Sequence, residues 1–171
     1  PELLSVSLGA AETTLMNLTS AYAPFVNGGV KIEPKLISRI QDRRGKTIFQ
    51  EKNRKCIGCD KFINEEIELP KIQSKSEKVI SEETAYQMTS ILQGAVERGT
   101  AKKLKSLNVP LAGKTGTTND NYDAWFIGFS SNLVIGVYVG YDSPKTLGKF
   151  ETGSKAALPI FKIFVEKALY L

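Results

Sequence analysis

The apolar positions of this chain change period along its length, and the changes mark its elements. From Leu15 to about Asn27 they recur at helical spacing, with Leu15, Leu18 and Tyr22 on one face. Thr14 can cap that helix and Gly28-Gly29 can end it. A second helical stretch follows Ser81, a good N-cap, with Glu82 and Glu83 suited to the positive end of the helix dipole. Ala85, Met88, Leu92, Ala95 and Val96 keep the period to about Arg98, where Gly99 stops it. That stripe reads as core packing.

Elsewhere the period is two. "KIEPKLISRIQDRRGKTIFQ" reads as extended segments, with Asp42-Arg43-Arg44-Gly45 a turn between two short strands. Residues 51–76 turn polar and lysine-rich and read as a surface insertion or loop of low order, which Phe62, Ile63, Ile67 and Leu69 could pin down. After Pro110 come three strands, Leu111–Thr118, Asp123–Ser130 and Leu133–Tyr141, joined by "NDN" and "SSN" turns. "SKAALPIFKIFVEKALYL" closes the chain as a helix that Pro159 either kinks or starts. Helices on both sides of an antiparallel meander predict an α+β fold, an antiparallel sheet packed with helices.

Composition adds limits. At 171 residues the chain has one domain's length, enough to bury roughly two-thirds of its unfolded surface. Its longest apolar runs, such as Leu133–Val139, are far short of the ~20 residues of a membrane helix. It opens on Pro1 rather than methionine and shows no signal peptide, which reads as a fragment. Of the formal charge of +5, the span from Lys31 to Lys61 carries more than all, with ten Lys or Arg against four acids. Such a segment can attract nucleic acid, anionic lipid or acidic glycan, but it reads first as a solvated hairpin and loop. No aromatic residues alternate with the charges as base stacking needs, so nucleic acid is not expected. There is no histidine, which excludes a Ser-His-Asp triad and any His-ligated metal within these residues.

Cys56 and Cys59 form the one cysteine pair. C-x-x-C can be half a zinc site, a redox motif or a tight disulfide; zinc would need carboxylates or another molecule, and no βαβ pattern supports a thioredoxin-like role. Asp120-Asn121-Tyr122-Asp123 lacks the length, glycine and terminal glutamate of a calcium loop. Trp125 and Phe126 read as sheet core and interface rather than a sugar-stacking platform.

The chemistry concentrates in "LAGKTGTTND". A phosphate loop fails on spacing, since Asn108 stands where its first glycine belongs and Val109-Pro110-Leu111-Ala112 is apolar and extended. As a strand, the stretch places Lys114 and Gly116 on one face and Thr115 and Thr117 on the other. Its edge could then pair with an extended peptide, with Gly116 admitting close backbone approach. One ammonium and two hydroxyls there suit a carboxylate-terminated peptide.

K-T-G belongs, with S-x-x-K and S-x-N, to the motif set of β-lactamases and penicillin-binding proteins. With "LGAAETTLMNLTSAYAPFVNGG", "ISEETAYQMTSILQGAVERGTAKKL" and "ETGSKAALPIF", nearly the whole chain outside 51–76 resembles the C-terminal part of the transpeptidase domain of class A (bifunctional) penicillin-binding proteins. The resemblance implies a serine D,D-transpeptidase that cross-links peptidoglycan stem peptides and is acylated by β-lactams. It implies no metal and no cofactor. Lys114 and Thr117 take catalytic roles by it. Thr115, Gly116, Thr117 and Thr118 bind substrate, and the Thr117 N–H forms half of an oxyanion hole.

The family's partners are D-Ala-D-Ala stem peptides, β-lactams and cell-wall assembly proteins. Its parent is anchored at the periplasmic face of the bacterial inner membrane by an N-terminal segment, and carries a glycosyltransferase domain. A disulfide between Cys56 and Cys59 fits that oxidising envelope, with free thiols the alternative. One departure matters. No S-x-x-K occurs in these residues, so the nucleophile is expected before Pro1. Ser106-Leu107-Asn108 and Ser130-Ser131-Asn132 match S-x-N, but the family's motif lies well upstream of K-T-G, whereas the first sits just before the strand and the second is a hairpin turn. A non-catalytic cell-wall peptide-binding or scaffold module is the alternative.

Overall fold

The computed structural model describes residues 4, 6, 9, 11–51, 54–57, 59, 71–74 and 76–169. Phe62, Ile63, Ile67 and Leu69 lie outside them. The fold is α+β: among the described residues three α-helices lie around an antiparallel three-stranded sheet, with two separate hairpins.

Helix α1 spans Leu15–Val26, and its N-cap Thr14 accepts a hydrogen bond from the Asn17 N–H at 3.2 Å. Gly28 and Gly29 end it at φ 76° and 96°, where a β-carbon would be strained. Helix α2 spans Glu82–Glu97 with Ser81 capping the Thr84 N–H. The same Ser81 hydroxyl, followed by the local backbone, holds the Glu83 carboxyl below its ordinary range. A bridge between Val30 and Lys78 ties the end of α1 to the approach to α2.

Strands β1 (Arg39–Gln41) and β2 (Thr47–Gln50) form the first hairpin. Asp42 makes its turn by accepting from the N–H groups of Arg44 and Lys46, and Gly45 supplies φ 81°. Every residue of both strands is exposed. The polar stretch after Glu51 contains a second hairpin that its composition did not suggest, β3 (Arg54–Ile57) paired with β4 (Lys71–Ser74). Cys56 and Cys59 are joined by a disulfide.

The sheet runs β5 (Ala112–Thr117), β6 (Asp123–Phe129), β7 (Val134–Gly140), all antiparallel. Side chains alternate across it. One face carries Phe126 and Val137, directly opposite each other, and packs on α3 (Ala157–Leu169) through Leu158, Phe161 and Val165. The other carries Ala112 and Phe129, also paired, against Leu92 of α2 with Tyr22 and Phe25 of α1 around them. Between α2 and β5 the segment Lys102–Leu107 coils as a 3-10 helix and drives Leu104 and Leu107 into the α3-side core. Pro159 sits in the first turn of α3, where its missing N–H costs nothing.

Candidate active site at the β5 edge

Among the described residues β5 pairs with β6 alone, so its other edge carries no strand. Which backbone groups reach that edge follows from one bond. The Thr118 N–H donates to the Asp123 carbonyl at 3.1 Å, extending the register that pairs Thr117 with Ala124. In an antiparallel ladder bonded and non-bonded pairs alternate. Gly116 and Lys114 therefore turn their backbone groups inward to β6, while Gly113, Thr115 and Thr117 turn N–H and C=O outward. The Ser130 N–H bonded to the Leu133 carbonyl at 2.9 Å fixes the complementary phase on the β6–β7 side.

Side chains follow the same alternation in the other plane. Lys114 and Gly116 stand opposite Ile127 and Trp125 on the helical face of α1 and α2. Lys114 is exposed, and its Nζ donates to the carbonyl of Thr115 at 2.7 Å. That carbonyl is one of the outward set, so the ammonium lies along the open edge. A β-carbon on Gly116 would come within 3.1 Å of the Trp125 Cβ, so the missing side chain also lets the indole sit close. Trp125 is half-buried and packs on Tyr138 with ring centroids 4.6 Å apart.

Thr115 and Thr117 face the α3 side. The Thr115 hydroxyl lies 3.0 Å from that of Thr100, which follows the glycine that ends α2. The Thr117 hydroxyl accepts from the Gly153 N–H at 3.1 Å. Thr118 stands apart: its hydroxyl accepts from the Asp123 N–H at 2.8 Å, so it closes the β5–β6 turn. The turn itself uses Asp120 and Asn121 at φ 57° and 56°, a conformation these residues tolerate better than most. Ser130-Ser131-Asn132 lies past the Ala112 end of β5 and lines a shallow cavity with Val109, Pro110 and Leu169. Ser106 and Asn108 bracket the end of the 3-10 helix, with Asn108 at φ 52°. Neither triplet stands beside Lys114 in the β5 register.

Tyr138 donates to the Asp123 carboxylate at 2.8 Å. That bond, more than burial or the charges of Asp123 and Asp142, raises the phenol above its ordinary value near 10. The folded state thus holds this proton more tightly than the unfolded chain. The stabilisation is complete below the unfolded pKa and is lost as pH rises through the folded one. Asp123→Ala is expected to lower the Tyr138 pKa back toward 10, read by NMR titration of ring-labelled tyrosine. An unchanged titration would dismiss the pairing.

Thr100 and Gly153 were not among the residues singled out from the sequence. Both lie in stretches that supported the resemblance, "ERGTAKKL" and "ETGSKAALPIF", but only the folded chain brings them to β5.

Residues 2–166 match the family model described as the penicillin binding protein transpeptidase domain. The chain belongs to that family. It is 45% identical over 170 residues to penicillin-binding protein 1A of Rickettsia typhi, covering 98% of this chain and 22% of the relative. The Pseudomonas aeruginosa protein of the same name is 35% identical and matches 99% of this chain over 24% of its own length. The crystal structure of penicillin-binding protein 1A from Haemophilus influenzae superposes with a TM-score of 0.80 at 35% identity, covering 96% of this chain and 28% of that one. The chain thus spans about a fifth to a quarter of the length of these curated relatives. The α+β architecture read from the sequence is that of this penicillin-binding protein 1A structure. No helix among the described residues is long and apolar enough to cross a membrane.

Proposed function

We propose that this chain is the C-terminal portion of a D,D-transpeptidase domain and forms one wall of its acyl-donor site. The observation that carries the reading is the open edge of β5, where the outward N–H and C=O groups of Thr115 and Thr117 run beside the Lys114 ammonium. An extended stem peptide ending in D-Ala-D-Ala can pair with that edge as an added strand. Its terminal carboxylate then meets Lys114 and the Thr115 hydroxyl.

The nucleophile in this reading is a serine of the parent outside these residues. Its oxygen attacks the carbonyl carbon of the penultimate D-alanine, and the carbonyl oxygen becomes an anion. The Thr117 N–H donates to that anion; one such donor contributes about 10²–10³ in rate. Collapse of the adduct breaks the amide, leaves an ester on the serine and releases D-alanine with a proton on its amine. An amine of a neighbouring stem then attacks the ester, and the serine recovers its proton. Lys114 lowers the energy of the negative charge at each stage. A β-lactam enters the same path and stops at the ester. The same resemblance gives the parent a glycosyltransferase domain and a membrane anchor at the periplasmic face.

The missing S-x-x-K favours one other reading, a cell-wall peptide-binding or scaffold module without a nucleophile. Intact mass after incubation with penicillin separates the two. This chain alone is expected to gain no covalent adduct, and the full-length parent one adduct per chain on a serine outside it. A stoichiometric adduct on a serine of this chain would refute the division of the site. A parent that binds penicillin without acylation would favour the scaffold.

A further inference from the structure

The loop after β7 reaches back to β5 at Gly153. Its N–H donates to the Thr117 hydroxyl at 3.1 Å, across 36 positions of sequence. Its carbonyl accepts from the Leu158 N–H at 2.9 Å, in the first turn of α3, where Leu158 is buried in the core. The donor is therefore set by the helix that packs behind the sheet. The approach is close. A β-carbon at Gly153 would fall within 2.6 Å of the Gly116 carbonyl oxygen and nearer still to that of Trp125. Both are backbone atoms of paired strands and cannot rotate away. Gly153 is not at positive φ, so contact rather than backbone conformation requires the glycine there.

A threonine hydroxyl has one hydrogen to give and two lone pairs to accept with. The Gly153 N–H occupies an acceptor site on Thr117, which leaves the hydroxyl hydrogen free to point elsewhere. The N–H of the same residue already faces the open edge. We propose that Gly153 is a positioning residue for the transpeptidase site: it holds Thr117 so that hydroxyl and backbone N–H both serve the acyl donor. This rests on the reading of β5 as the acyl-donor edge.

The test is the second-order rate constant for penicillin acylation of the full-length parent, in a double-mutant cycle with Tm recorded for each variant. Gly153→Ala is expected to slow acylation about tenfold, the scale of one hydrogen bond and its misplacement. Thr117→Val, which removes the acceptor, should lose about as much as Gly153→Ala, and Thr117→Ser, which keeps it, should lose less. In the Thr117→Val background, Gly153→Ala should then cost little more, since coupled residues are not additive. A structural role alone would lower Tm and leave the two losses additive, and that result overturns the proposal. If Gly153→Ala does not fold, amide exchange at Gly153 decides: it should speed up in Thr117→Val and not in Thr117→Ser, and equal rates overturn the proposal. A Lys114→Ala parent that acylates normally removes the acyl-donor reading and this inference with it. A slow Lys114→Ala beside a normal Gly153→Ala removes only the role of Gly153.

Discussion

Replacing Lys114 with alanine in the full-length parent is expected to slow β-lactam acylation by roughly a hundredfold or more while leaving Tm nearly unchanged. The side chain is exposed, and its bond is to the carbonyl of its own neighbour, Thr115. No core contact leaves with it, so folding should be indifferent. Acylation should not be. In the proposed mechanism the ammonium faces both the terminal carboxylate and the charge that develops at the reacting centre. Removing ~3 kcal/mol of such stabilisation accounts for the size of the effect. Lys114→Arg tests position as well as charge, because a planar guanidinium cannot occupy the same point; it should restore only part of the rate. Acylation of Lys114→Ala at the parental rate would return the stretch to an ordinary hairpin.

Phe126→Ala is expected to have the largest effect on stability, about 3–5 kcal/mol. The ring is fully buried and meets Phe161 edge-on, with centroids 4.8 Å apart. Removing it would open a void at the junction of β6 and α3. The neighbours cannot collapse into it easily, because Gly128 and Phe161 already fill the adjoining space: a β-carbon on Gly128 would lie 2.6 Å from the Phe161 ring. Thermal unfolding of the parent should show a lowered Tm, and penicillin labelling should fail at a temperature the parent tolerates. A Tm within about one degree of the parent would contradict the placement of the core. Phe164 on the same helix is half-exposed, and Phe164→Ala should shift Tm far less.

The parts of this structure that could be read from the sequence are those written in adjacent residues. Thr14 and Ser81 cap the helices they precede, Gly28 and Gly99 follow the two helices' last turns, and the three strands of the sheet begin and end within a residue of the alternation that predicts them. The 3-10 helix is not legible, because "KKLKSL" carries only two apolar residues, three apart, too short a run to show a period. The hairpin of β3 and β4 is hidden for a related reason, since lysines and a disulfide loop interrupt its alternation. At the candidate site, residue types and faces were legible, but partners were not. Thr100 and Gly153 meet β5 from 15 and 36 positions away. No local pattern encodes such distances; they are set by how α2 and α3 pack on the sheet. Thr118, grouped with the substrate-binding residues by its motif, is held in the turn by Asp123.

The phase of β5 gives the strand an unusual intolerance. Its side chains sort one chemistry onto each face, and its backbone sorts the peptide groups between partner and edge, both by the parity of position. Substitution at a single site disturbs one of these assignments and leaves the others in place. Loss or gain of one residue between Ala112 and Thr117 would invert all of them together downstream, sending an ammonium into the α3 core and turning the outward amides in. Diversity among related chains at this strand should therefore be a diversity of letters at fixed length, with insertions collecting beyond Thr118 and before Pro110.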